Sequence, residues 1–154
     1  MGFFDRFRAV PHAHPVFGEL TYKRGRWHGT ITLEHGRPLP LLLPGTREAP
    51  AAGGLEVAAL APAWWGQVRA QVEREIYGHY EAYRDADAPD VPRLAGGSDI
   101  WPHVDLTSVQ VQPYSAPDEI MVAVRVAWDE EHTLGVLIRD GRLVELNGSI
   151  LEAR

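Results

Sequence analysis

The sequence predicts an α+β domain. It should be a mostly antiparallel sheet, made of an N-terminal hairpin and a C-terminal three-strand meander, with one long helix packed on one face. Two observations carry that class. Residues 119–150, EIMVAVRVAWDEEHTLGVLIRDGRLVELNGSI, hold three strand patterns separated by two turns. In residues 62–83, Trp65, Val68, Val72, Ile76, Tyr80 and Tyr83 fall at spacings of three and four, the apolar stripe of a helix.

The meander begins with strict alternation. Ile120, Val122, Val124, Val126 and Trp128 point one way; Met121, Ala123, Arg125 and Ala127 point the other. The first face is large and apolar and needs the helix as cover. The second is small, with a single charge, and is expected to be thinly covered or wet. The next strand, residues 134–138, returns to residues 143–146 through Arg139-Asp140-Gly141. A two-residue Asp-Gly loop would set Ile138 opposite Leu143 and Val136 opposite Glu145. A three-residue loop with Gly141 left-handed sets Val136 opposite Val144 and Leu134 opposite Leu146. That choice keeps apolar residues together and is the expected register.

Upstream, residues 16–33 read as a hairpin turning at Arg24-Gly25, which pairs Tyr22 with Trp27 and requires positive φ at Arg24. Residues 39–43 add an edge strand, given Pro38, Pro40 and Pro44. Residues 46–54 are loop, and Pro62 suits the first turn of the helix. Residues 85–98 are a Pro- and Gly-rich surface segment, and residues 99–105 hold a helical turn broken by Pro102. In the strand of residues 106–111, Leu106, Ser108 and Gln110 share one side and Thr107, Val109 and Val111 the other.

At 154 residues the chain is one domain, with residues 1–15 an N-terminal segment and residues 16–150 the α+β core. Met1 to Val10 do not form a signal peptide. Phe3, Phe4 and Phe7 are expected to dock on the domain's own core, the alternative being a weak membrane-surface foot. No stretch is apolar for the ~20 residues a membrane span needs. His12 and His14 lie between Pro11 and Pro15, in what reads as an exposed linker. There is no cysteine, which excludes disulfides and thiolate chemistry and suits a reducing compartment; a cytoplasmic location is expected. The net charge of −6 is uneven: residues 1–50 carry seven Arg and Lys against four Asp and Glu, residues 51–154 eight against seventeen. An acidic chain with no basic cluster argues against nucleic acid as a partner.

No catalytic or cofactor motif is present: no His-Glu-x-x-His, no Gly-x-Ser-x-Gly elbow, no phosphate-cradling glycine loop. No cofactor is expected. The densest polar run is Asp129-Glu130-Glu131-His132, taken as an acidic hairpin loop. Carboxylates beside an imidazole are the groups that a divalent metal or an acid–base pair uses. Arg125, on the small face just before that run, offers a guanidinium fork for a carboxylate.

Phe17-Gly18-Glu19-Leu20, then Trp27, a helix ending in tyrosines, and Trp128-Asp129-Glu130-Glu131-His132 followed by Leu134-Gly135-Val136 resemble a family of small uncharacterised bacterial α+β proteins. Its members carry a Trp-Asp-x-Glu-His-Gly-Leu-Gly-like run before a final hairpin. The likeness covers residues 16–150, and Thr133 stands where the family tends to have Gly. The resemblance implies a bacterial cytoplasmic protein without a known activity. Some such proteins sit near toxin systems, which by analogy implies an immunity or accessory role and favours binding over catalysis. The expected function is therefore a non-catalytic protein-binding module, with Arg125, Asp129, Glu130, Glu131 and His132 as the partner-binding residues. The alternatives are a metal-assisted hydrolase using residues 129–132 and a structural homodimer formed through a sheet edge.

Overall fold

The computed structural model describes residues 9–34 and 36–151. Eight strands lie in one sheet in sequence order: β1 (His12–His14), β2 (Gly18–Lys23), β3 (Arg26–Ile31), β4 (Leu39–Leu43), β5 (Val104–Val111), β6 (Glu119–Val126), β7 (Asp129–Arg139) and β8 (Arg142–Asn147). Every neighbouring pair is antiparallel except β4 and β5. Parallel neighbours need a crossover connection, and this one carries α1 (Ala52–Asp85) and a 3₁₀ helix (Gly97–His103). The α+β class stands, but hairpin and meander are parts of a single larger sheet.

The parallel junction places β4 inside the sheet, where an edge strand was expected. The Thr30 N–H donates to the Phe17 carbonyl, away from β4. Pro40, the partner of Thr30, therefore turns its nitrogen toward β5. The β4–β5 ladder comprises only Leu41↔Val109 and Leu42↔Gln110, beginning just past Pro40. A proline there interrupts no hydrogen bond, which removes the objection to an interior position. The linker expected at His12 and His14 is instead the edge strand β1. His14 stacks on Phe17 at 4.6 Å, and its Nδ1 accepts from the backbone N–H groups of Val16 and Phe17.

α1 is 34 residues long and starts ten residues earlier than Pro62 suggests. Pro62 lies inside it, unable to donate to the carbonyl one turn back, a defect of roughly 3 kcal/mol. Packing outweighs that cost. Gly54, Val57, Ala58 and Ala61 extend the buried stripe upstream of Trp65, Val68, Val72, Ile76 and Tyr80. Gly54 is required by close approach, since a Cβ would come 2.8 Å from the Pro44 ring. The predicted stripe faces the sheet, with Tyr83 half-buried at its end. Beneath it lie Ile120, Val122, Val124, Val126, Leu134, Val136 and Ile138, all buried.

Three registers carry bulges. Arg24 has φ 51° and Tyr22 pairs with Trp27, as the first hairpin requires. The last hairpin takes the two-residue loop, not the three-residue one: Arg139 pairs with Arg142 and Ile138 with Leu143. Val144 is then the extra residue of a bulge, after which Val136 faces Leu146. The bulge restores the apolar match that the longer loop was invoked to provide. In β5 a register shift at Thr107 moves Leu106 onto the helix face with Val109 and Val111. The third bulge, in β7, shapes the site described below.

The reverse face is less open than its small side chains suggest. Met121 and Ala123 are buried, while Arg125 and Ala127 are exposed. Part of the cover is the chain's own C-terminal tail: the Ile150 N–H donates to the Thr133 carbonyl at 2.8 Å. A Cβ on Gly135 would lie 2.6 Å from Ile150 Cγ2 and 2.8 Å from Met121 Sδ. At the N-terminus Ala9 packs against the core and Val10 is exposed; the docking expected of Phe3, Phe4 and Phe7 lies outside the described residues. No helix among the described residues is long and apolar enough to cross a membrane.

Candidate functional site

Residues 129–132 are not a hairpin loop. Ala127 and Trp128 make the turn, and Asp129 already belongs to β7. Val126 pairs with Asp129 and Val124 with Leu134, so the single residue Arg125 of β6 faces four residues of β7, Glu130 to Thr133. This bulge pushes Glu130, Glu131 and His132 into solvent. Asp129 does the reverse. Its parity with Val126 turns it toward α1, and only 4% of its side chain is exposed.

A buried carboxylate needs partners. His132 supplies two, donating to Asp129 Oδ1 from its backbone N–H at 3.3 Å and bonding through Nδ1 at 2.9 Å. On α1, one helical turn apart, His79 and Tyr83 close over the same carboxylate. His79 Nε2 lies 3.6 Å from Asp129 Oδ2, too far for a hydrogen bond, and that oxygen receives none. Burial alone raises the Asp129 carboxyl, but hydrogen bonds from Tyr83 and His132, with the His132 charge, hold it below the usual range. The same hydrogen bond to Asp129 pushes the Tyr83 phenol up to about 12.

The Trp128 indole decides the His79 tautomer. Its Nε1–H lies 3.0 Å from His79 Nδ1, and an indole nitrogen only donates. Nδ1 is therefore bare, and the proton of the neutral ring sits on Nε2, toward Asp129. Burial pulls the His79 pKa down; Asp129 pulls it up and His132 down, and the net effect is a lowered value. Trp128 also packs edge-on against Tyr80 at 5.3 Å.

Beside this cluster an open groove wraps the end of the sheet, lined by Arg125, Asp129 and Glu130 together with His103, Val104 and Asp105. The structure thus brings together three of the five candidate residues. Glu131 and His132 share the bulge without lining the groove. Arg125 sits opposite Asp105 on the reverse face, and Asp105 is paired with Arg37.

Among the described residues, no three or more His, Asp or Glu side chains are placed to hold a metal ion. The tautomer points the same way. With Nδ1 accepting from Trp128, His79 Nε2 carries a proton and offers no lone pair to a metal. His79 and Tyr83 were missed as site residues because helical spacing assigns them a face, not a partner. The usable signal was that both lie near the helix end, where Trp128 had to pack.

No curated protein and no solved structure matches the chain. Residues 16–150 match the family model described as Domain of unknown function (DUF6985), and the chain belongs to that family.

Proposed function

We propose that this protein is a non-catalytic binding module that takes a basic protein partner on the acidic bulge of β7. One observation carries the reading. The bulge holds Glu130, Glu131 and His132 out in solvent while the buried Asp129 anchors it by bonding the backbone N–H and ring of His132. Exposed carboxylates on a fixed backbone steer an oppositely charged partner and set its orientation. Arg125 and Asp105 at the neighbouring groove supply the polar rim. An immunity-like or accessory factor in a bacterial cytoplasm is the finer form of this reading, supported by the acidic surface and the cysteine-free chain. Residues 1–154 would act as one domain.

The alternatives draw less support. A metal-assisted hydrolase at residues 129–132 lacks a ligand trio among the described residues. A homodimer through a sheet edge meets two blunted edges: β1 has three residues between prolines, and β8 is bulged at Val144.

Calorimetry with a Lys/Arg-rich peptide and an Asp/Glu-rich peptide of equal length tests the reading. Only the basic peptide should bind, more weakly as salt rises. Glu130→Lys with Glu131→Lys should abolish binding while changing stability by less than about 0.5 kcal/mol. Equal binding of both peptides, or of neither, refutes it.

A further inference from the structure

We propose that His79 is a proton-operated latch on the β7 bulge, an inference that rests on the bulge being the docking element. With the ring neutral, Trp128 is pinned to α1 through His79, Asp129 is left to hold His132, and the bulge keeps its docking shape. With the ring protonated, the pin is lost and the basic partner is released.

The argument is one of hydrogen-bond inventory. Neutral His79 accepts the Trp128 Nε1–H on Nδ1 at 3.0 Å. Adding a proton there sets two N–H donors face to face, so proton uptake and the Trp128 bond exclude each other. The charged ring has another place to go. Asp129 Oδ2 lies 3.6 Å from Nε2, is buried, and accepts no hydrogen bond. A ring swung toward that oxygen would form a charge-assisted bond while abandoning Trp128. These are two discrete arrangements of one side chain, as a switch requires.

The groups facing the ring set the balance. From the turn and β7 come Trp128, Asp129 and His132; Asp129 favours the charged ring and His132 opposes it. From its own helix comes Tyr83, 5.0 Å away. Glu131 acts on Tyr83 from the bulge. Because burial lowers His79 from the ordinary value of 6.5, the latch opens in acid and is closed at neutral pH. Asp129 Oδ1 holds His132 through two contacts, so drawing the carboxylate toward His79 loosens the bulge itself.

The test uses the free protein, by nitrogen–proton correlation NMR and amide exchange, and needs no partner. The Trp128 indole resonance, assigned with Trp128→Phe, should move in step with the His79 ring as pH falls. Amide protection factors across residues 129–133, taken against the intrinsic exchange rate at each pH, should fall by about tenfold, as losing one hydrogen bond implies. In His79→Asn, whose side-chain oxygen can still accept from the indole and does not titrate, both signals should hold to about pH 5. Should that variant fail to fold, Trp128→Phe serves instead: without the competing donor, His79 should titrate at higher pH, and an unchanged titration overturns the latch. An indole fixed while His79 titrates overturns it too, as does a response abolished by His132→Asn but not by His79→Asn. Failure of basic-peptide binding with these signals intact removes the docking reading alone.

Discussion

β7 is entered and left through turns of two residues. At one end Asp140 and Gly141, with φ 47° and 71°, join Arg139 to Arg142 in the left-handed conformation of a tight hairpin. At the other, Ala127 and Trp128 join Val126 to Asp129. α1 covers both. The Asp140-Gly141 end closes by fit, with Trp64 and Gln67 so near that a Cβ on Gly141 would lie 2.5 Å from Gln67 Oε1. The Ala127-Trp128 end closes around a buried carboxylate, two histidines and a tyrosine. Yet the first end also has a buried carboxylate beside it, Glu119, ion-paired with Arg139 at the last position of β7. The ends differ in what meets that costly buried charge: an arginine at the first, two histidines and a tyrosine at the second, groups whose bonding depends on where their protons sit. That contrast is why function is sought there.

The largest expected effect checks whether the two ends share one core. Leu134, near the polar end, and Ile138, near the plain one, are both fully buried. Each change to Ala should cost about 2–5 kcal/mol in denaturant melts. A small loss at Leu134 alone would mean that the polar end is not held by the core. Next, Gly141→Ala should cost about 1–3 kcal/mol from strained backbone and crowding. Gly148→Ala, with open space around it, should cost far less. Equal effects would break the claim that the plain end closes by fit. The smallest expected effect is alkaline. Tyr83 is raised from 10 to about 12 in the fold, so its contribution is present below pH 10 and lost as pH climbs toward 12. Stability followed across that range should decline in the wild type, and Tyr83→Phe should flatten that part of the decline. An identical slope in both proteins would detach Tyr83 from Asp129.

Much of this was legible before any coordinates. Period two in residues 120–128 and the stripe from Trp65 to Tyr80 each state which side meets its partner, and the structure agrees, though Met121 and Ala123 on the reverse face are buried where a thin cover was expected. What escaped were features that periodicity cannot express. The Thr107 and Val144 bulges reset parity in mid-strand, so an alternation counted across them assigns the wrong face. The interior position of β4 depended on which way Pro40 turned its nitrogen, a matter of pairing and not of composition. At the site, the run Asp129-Glu130-Glu131-His132 was visible as a polar cluster. The split between one buried and three exposed members was not, because it arises from a bulge and from His79 and Tyr83 on α1.

The parallel seam also bears on how the chain finds its shape. Strands β1 to β4 are consecutive antiparallel neighbours, and so are β5 to β8. Each set can zip up from local turns, and contacts between near neighbours in sequence form quickly. Only the two pairs Leu41↔Val109 and Leu42↔Gln110 join the sets in the sheet, and each closes a loop containing the whole of α1. Loop closure on that scale costs entropy before any contact is gained. On that ground the two halves are expected to form quickly and join late, with α1, spanning the gap in sequence, bringing them together.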